Sequence, residues 1–254
     1  MQQQEYKALS AELKNNLSQL KDKRSNWETH WQEVADLIIP RKSDIVDQKV
    51  RGDKRHIQVF DGTAIHSLEL LASSLHGMLT SSANRWFSLR FKETALNEND
   101  EAKEWLESVT DTMYVAFQRS NFQQEIFETY HDLCAFGTAA MYIEEDSTDI
   151  IRFSARHIKE IYLSENSKNL VDCIYRRFKI SAKAAIEKFG IENVSRQLQN
   201  LSKKSMFDEV EICHVVKPRD IYNPKKLDKK NMPFTSIYFE MESAHIISIG
   251  GFRE

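Results

Sequence analysis

Apolar residues recur near the start of the chain at Leu9, Leu13, Leu17, Leu20, Trp27, Trp31, Val34 and Ile38. Steps of three, four and seven residues put them on one face of a long helix over residues 5–38. Pro40 ends it, because the residue before a proline is pushed out of the helical region. Residues 41–58 turn polar and basic around Gly52 and read as a loop. Asp61 reads as the N-cap of a second helix, with Ala64, Leu68, Leu71, Leu75 and Met78 facing inward. Residues 80–85 are turn chemistry. Phe87, Leu89 and Phe91 then alternate with polar residues, which predicts a half-buried strand. A third helix over 100–118 turns Trp105, Val109, Met113 and Ala116 inward. Ser120 with Gln123 has the form of a capping box opening a fourth helix. Phe122, Ile126, Tyr130, Leu133 and Cys134 line that helix, and Gly137 is a natural C-cap.

From residue 139 the period changes. Residues 139–145, 150–155, 161–164 and 171–180 read as strands separated by short polar turns. Ser181 caps a short helix over 182–189 that Gly190 closes, and another short helix follows near 192–202. Residues 207–216 read as a strand with Val210, Ile212 and His214 on one face. Residues 217–233 hold three of the four prolines and read as a long loop. Residues 234–241 and 244–249 form a closing hairpin. Helices first and strands afterwards predict an α+β fold with a mainly antiparallel sheet. The chain divides into a mainly helical part, residues 1–138, and a strand-rich part, residues 139–254. The sequence around Gly137 lacks linker composition, so packing is expected to continue across it.

Composition narrows the function. The 254 residues are 41% hydrophobic and 29% charged, which excludes disorder and collagen as overall classes. No apolar run is long enough to span a bilayer. The N-terminus is polar, with no secretory leader expected. Three widely spaced cysteines, Cys134, Cys173 and Cys213, read as buried thiols in a reducing compartment. Only seven glycines are present, which counts against nucleotide folds that need glycine turns around phosphate. GxGxxG, GxxxxGK[ST] and GxSxG are all absent from the sequence. His131 with Cys134, and Cys213 with His214, fall short of a four-ligand zinc pattern. No metal or cofactor is expected, and no catalytic residue is assigned. A net charge of −3 argues against wrapping nucleic acid.

Charge is nevertheless uneven. Residues 217–230 hold six basic residues against two acidic ones, and residues 93–111 hold seven acidic residues against one lysine. Glu101 and Glu104 on the acidic helix, and Lys225, Lys226, Lys229 and Lys230 on the basic loop, are candidate interface residues. They could meet across a subunit boundary, serve separate partners, or form two solvated surfaces. Trp27 and Trp31 are candidates for docking against the chain's own body or a neighbouring subunit.

Several segments in order resemble one family. WQEVADLIIPR at 31–41 resembles the opening signature of the head-to-tail connecting (portal) proteins of short-tailed phages. VFDGTA at 59–64, LLASSL at 70–75 and LTSSANRWFSL at 79–89 follow. WLE at 105–107, SNF at 120–122, FGTA at 136–139 and MYIEE at 141–145 continue the series. GGFRE at 250–254 resembles a mid-sequence point of the family. The resemblance implies the N-terminal half of a longer protein, containing most of the α+β wing and stopping before the stem, clip and crown. It implies a ring, a dodecamer in this family, at one capsid vertex. Through that ring double-stranded DNA enters and leaves. The implied partners are further copies of the chain, capsid and scaffolding proteins, terminase, and tail or adaptor proteins. The implied location is the virion, with assembly in the host cytoplasm and no membrane. A non-channel adaptor with a wing-like fold and a nucleic-acid enzyme are the competing readings.

Overall fold

A computed structural model describes residues 2–252 apart from Arg51, His56 and Leu227. The fold is α+β. In chain order the elements are α1 (Gln2–Ile38), α2 (Thr63–Leu79), α3 (Asp100–Arg119), α4 (Phe122–Phe136), β1 (Ala140–Asp146), β2 (Ile150–Arg156), β3 (Ile161–Glu165), β4 (Val171–Ser181), α5 (Ala182–Phe189), α6 (Arg196–Lys204), β5 (Glu209–Pro218), β6 (Phe234–Glu240) and β7 (Ile246–Phe252). The chain forms two compact units. One compact unit takes Met1–Trp27 with Glu160–Glu254, and the other takes Glu28–Lys159. Helix α1 contributes to both.

The first unit is a five-stranded antiparallel meander in the order β3-β4-β5-β6-β7. Its pleat sends alternate residues to opposite faces. Tyr175, Cys213, Val215, Ile237 and Phe239 turn to one face, where Leu13 and Leu17 of α1 close over them. Phe178, Ile212 and Ile247 turn to the other, against Ala182, Ala185, Val194 and Leu198 of the α5–α6 region. Both faces of the central strand β5 are therefore covered, and its residues 212–215 are buried. Local capping agrees with the sequence: the Ser181 hydroxyl accepts the Ala184 N–H, and Gly190 closes α5 at φ +84°. Helix α6 starts at Arg196, later than the periodicity suggests, because Ser195 accepts the Leu198 N–H there.

The second unit packs the end of α1, α2, α3, α4 and the β1–β2 hairpin around an aromatic core. The Trp86 ring stacks on Phe122 at 5.7 Å and on Phe117 at 6.1 Å, and Phe153 of β2 meets Phe122 edge-on. Gly137 ends α4 at φ +74°, a left-handed position that a side chain would strain. Two capping expectations fail here. Asn121, not Ser120, holds the N-cap position of α4, and Gln123 pairs with His76. The Asn121 amide serves β2 instead, accepting the Phe153 N–H and donating to the Phe153 carbonyl. At α2 the N-cap position is Gly62, and Asp61 acts from one residue upstream by accepting the Thr63 N–H.

A buried polar network fixes the loop after α1. The Gln32 amide nitrogen donates to Asp36 Oδ1 and the Ser43 carbonyl, and its oxygen accepts the Ile45 and Val46 N–H groups. Lys42 pairs with Asp132 of α4. Asp44 is held by Arg55 at 3.1 Å, by His157 at 3.2 Å and by Lys159. Burial opposes the charge on Asp44, but hydrogen bonds from His157 and Lys159 outweigh it and hold the carboxyl well below its usual range. Asp132 moves the other way, pushed up by burial against the pull of Lys42.

Candidate interaction surfaces

Helix α3 carries the acidic surface. Asn99 caps it by accepting the Glu101 and Ala102 N–H groups. Acidic residues in its first turn then face the positive end of the helix dipole. Glu101 and Glu104 are exposed and form no ion pair among the described residues. Arg85, outside the acidic stretch in sequence, reaches Glu107 at 3.4 Å and also pairs with Asp111. Lys103 pairs with Asp100 at 2.9 Å. The surface is therefore less negative than a linear count of residues suggests. Trp105 is expected inward but lies 58% exposed, one face stacked on Phe91, and Thr110 is the buried residue of this helix.

The basic loop is anchored by one of its own cations. Arg219 donates its guanidinium to the carbonyls of Lys230 at 2.6 Å and Gly250 at 3.1 Å, so it serves the loop's shape. Its N–H donates to the Pro233 carbonyl. The loop rests on β7 so closely that a Cβ on Gly251 would lie 2.3 Å from the Lys229 carbonyl oxygen. Lys225, Lys226, Lys229 and Lys230 remain exposed and without ion pairs among the described residues.

The two tryptophans separate. Trp31 is 8% exposed, and its Nε1 donates to the Phe136 carbonyl at 3.2 Å, so it packs within its own unit. Trp27 is 59% exposed.

Helix α2 corrects an orientation. Its buried residues are Leu68 and Ala72, whereas Ala64 and Leu71 are exposed and Met78 is 82% exposed. Polar contacts set this rotation: Glu69 lies 3.0 Å from His131, His76 bonds Gln123 at 2.7 Å, and Thr80 meets Tyr130 at 3.2 Å. In α4 the same packing buries His131 and Asp132 and leaves the expected Leu133 exposed.

The stretch 86–91 also departs from expectation. It is extended but joins no sheet. Side chains take the place of a partner strand at its ends. The Tyr114 hydroxyl accepts the Phe87 N–H and donates to the Phe87 carbonyl, and the Asn97 amide does both for Phe91.

The chemistry-bearing residues do not converge. Among the described residues no group of three or more His, Cys, Asp or Glu side chains is placed to hold a metal. Burial pushes the Cys173 thiol up to about 11 and the Cys213 thiol up to about 12, away from reactive thiolate. His214 stacks on Tyr238 at 3.9 Å and bonds the Ser236 hydroxyl on the face of β5 opposite Cys213. Among the described residues no helix is long and apolar enough to cross a membrane.

The known proteins that this chain resembles agree with one another. It is 32% identical over 246 residues to the portal protein of Salmonella phage epsilon15, covering 95% of this chain and 44% of that protein. It is 31% identical over 230 residues to the probable portal protein of Bordetella phage BPP-1, covering 90% of this chain and 41% of that protein. The chain thus spans less than half the length of these curated relatives. The family model described as bacteriophage head to tail connecting protein matches residues 10–254. The chain belongs to the bacteriophage head to tail connecting protein family.

Proposed function

We propose that this chain is the N-terminal part of a portal subunit, one of a ring of copies at a capsid vertex through which phage DNA is packaged and ejected. The observation that carries this reading is the family match across residues 10–254, together with two relatives named as portal proteins. The role is geometric and assigns no covalent chemistry to the chain. Both its helical part and its strand-rich part belong to the wing. Terminase, capsid, scaffolding and tail proteins are its partners in turn, in the host cytoplasm during assembly and then in the virion.

A ring needs two different patches on each subunit, because a head-to-tail contact joins unlike surfaces. Glu101 and Glu104 on one copy, facing Lys225, Lys226, Lys229 and Lys230 on the next, supply such a pair, with Trp27 as an apolar contact. Opposite charge sets register and suppresses wrong pairings more than it adds affinity. Electron microscopy of the purified protein should reveal closed rings with a central hole, and a chain that stays monomeric at high concentration refutes the reading. Charge reversal at the four lysines should shift the mass distribution toward single subunits. Unchanged oligomers by mass photometry would remove these lysines from the interface while leaving the ring intact.

A further inference from the structure

Two main-chain edges in the second unit are handled differently from their neighbours. In the β1–β2 hairpin the Phe153 N–H and carbonyl bond the Asn121 amide, and the Ala155 N–H bonds Glu125 Oε2. These side chains occupy the outer edge of β2 as a partner strand would, which is how proteins blunt an exposed edge. Residues 153 and 155 therefore point away from β1, and residues 152, 154 and 156 point toward it. Their partners in the register are Glu144, Tyr142 and Ala140. The outward main chain of β1 thus belongs to Met141, Ile143 and Glu145. Among the described residues none of these three outward groups has a hydrogen-bond partner. Ile143 is 53% exposed, and Glu145 is exposed without an ion pair.

The extended stretch 86–91 has the complementary property. Phe87 and Phe91 turn their main-chain groups toward Tyr114 and Asn97. Ser88 and Arg90 lie between these two anchors, each exposed between half-buried neighbours. Among the described residues the main chain of neither is hydrogen-bonded. Both residues are exposed and line a cleft of about 960 Å³ together with Arg85, Lys103 and Glu107.

We propose that the open main chain at Ser88 and Arg90 of one copy pairs with the open outer edge of β1 in a second copy. The inference rests on the reading that copies of this chain assemble. Main-chain bonds supply the attachment, as in strand addition to a sheet edge. Charge selects the occupant: Arg90 is the cation of the receiving edge that has no ion pair among the described residues, Arg85 and Lys103 being held by Glu107, Asp111 and Asp100, and the outward row of β1 ends in Glu145. The two edges are different surfaces of one chain, so the contact is head-to-tail and propagates around a ring.

The test is a charge swap on the full chain, followed by sedimentation and mass photometry. Arg90→Glu and Glu145→Arg each replace an exposed residue with no ion pair, so the fold is untouched. Each should raise the concentration at half-assembly roughly three- to fivefold, the size of a cross-strand charge contact. The double variant should return it to the starting value. Ser88→Pro, which deletes one main-chain donor, should weaken assembly where Ser88→Ala does not. Rings that form equally well in all variants overturn the strand pairing and leave the portal reading standing. Assembly that responds to the swap but yields pairs of subunits, with no rings, supports the pairing and overturns the portal reading. Single variants that weaken assembly without rescue in the double show that another surface meets each edge, which also overturns the pairing.

Discussion

Gln32 is one side chain on which a whole loop depends, and its replacement by leucine gives a sharp expectation. Its amide nitrogen holds Asp36 at 3.1 Å and the Ser43 carbonyl at 3.0 Å. Its oxygen accepts from Ile45 at 3.0 Å and Val46 at 2.8 Å. Leucine keeps the apolar stem and removes these four bonds and a longer fifth, from the Asp47 N–H at 3.4 Å. A typical net bond contributes about 1 kcal/mol, and a buried donor left without a partner costs about 1–3 kcal/mol. Asp36 retains Lys49 at 3.4 Å, and the loop can recover water on its outer side, so the losses do not add fully. The expected cost is about 3 kcal/mol, which for a unit of this size lowers the melting temperature by roughly 10 °C. Amide exchange at Ile45 and Val46 should accelerate in the same variant. Gln32→Glu keeps the acceptor and loses the donor beside Asp36, so it should protect those two amides while still destabilising. A melting temperature within about 1 °C of the parent, with unchanged exchange at both amides, would refute the reasoning.

Further expectations concern charge, core and loop. Because the Asp44 carboxyl is held below its usual range, its contribution is complete above the unfolded value near 4 and is lost as pH falls below it. Asp44→Asn should therefore lower stability at neutral pH, and the gap to the parent in urea titrations should narrow on acidification; a constant gap would contradict this. Trp31→Ala should cost about 3–5 kcal/mol in thermal melts as a buried indole is removed. Trp27→Ala should cost less in the melt than Trp31→Ala, since Trp27 is 59% exposed, and should report in assembly; equal melting losses would contradict the separation. Gly251→Ala should displace the 217–233 loop, since its Cβ would meet the Lys229 carbonyl. Faster proteolysis within that loop checks it, and an unchanged digest would show that the backbone yields without loss.

The strands and caps of the first unit are the most legible part of the chain. Period-two alternation along β4 to β7, with Ser181 and Gly190 bracketing α5, determines local structure from neighbours within a few residues. Legibility fails where a side chain bonds far along the sequence. Ser120 and Gln123 have the spacing of a capping box, yet Gln123 is taken by His76 and Asn121 by β2. Phe87, Leu89 and Phe91 alternate as a strand should, but alternation records which face is covered and says nothing of whether a neighbouring strand exists. The charged surfaces suffer likewise. A linear tally of residues 93–111 omits Arg85, and a tally of 217–230 counts Arg219 as a surface cation although carbonyls engage it.

Helix α2 carries the point furthest. Seventeen residues contain a single carboxylate, Glu69, and that residue faces His131. Ser67 and Ser74 donate their hydroxyls to the Thr63 and Leu70 carbonyls, and His66 and Ser73 are further polar residues of the exposed side. A helix that is apolar around most of its circumference is normally buried on most of it. Within the described residues only the side of Leu68 and Ala72 is buried, while Leu71 and Met78 face outward. Both sides leave the same mark in the sequence, because apolar residues are placed wherever water is to be excluded, by whatever chain excludes it. The choice of the wrong stripe therefore has a physical source. Periodicity records where apolar residues fall and not which of them the fold covers, and Glu69 and His76, the polar residues that a search for apolar stripes passes over, determine which side the fold itself takes.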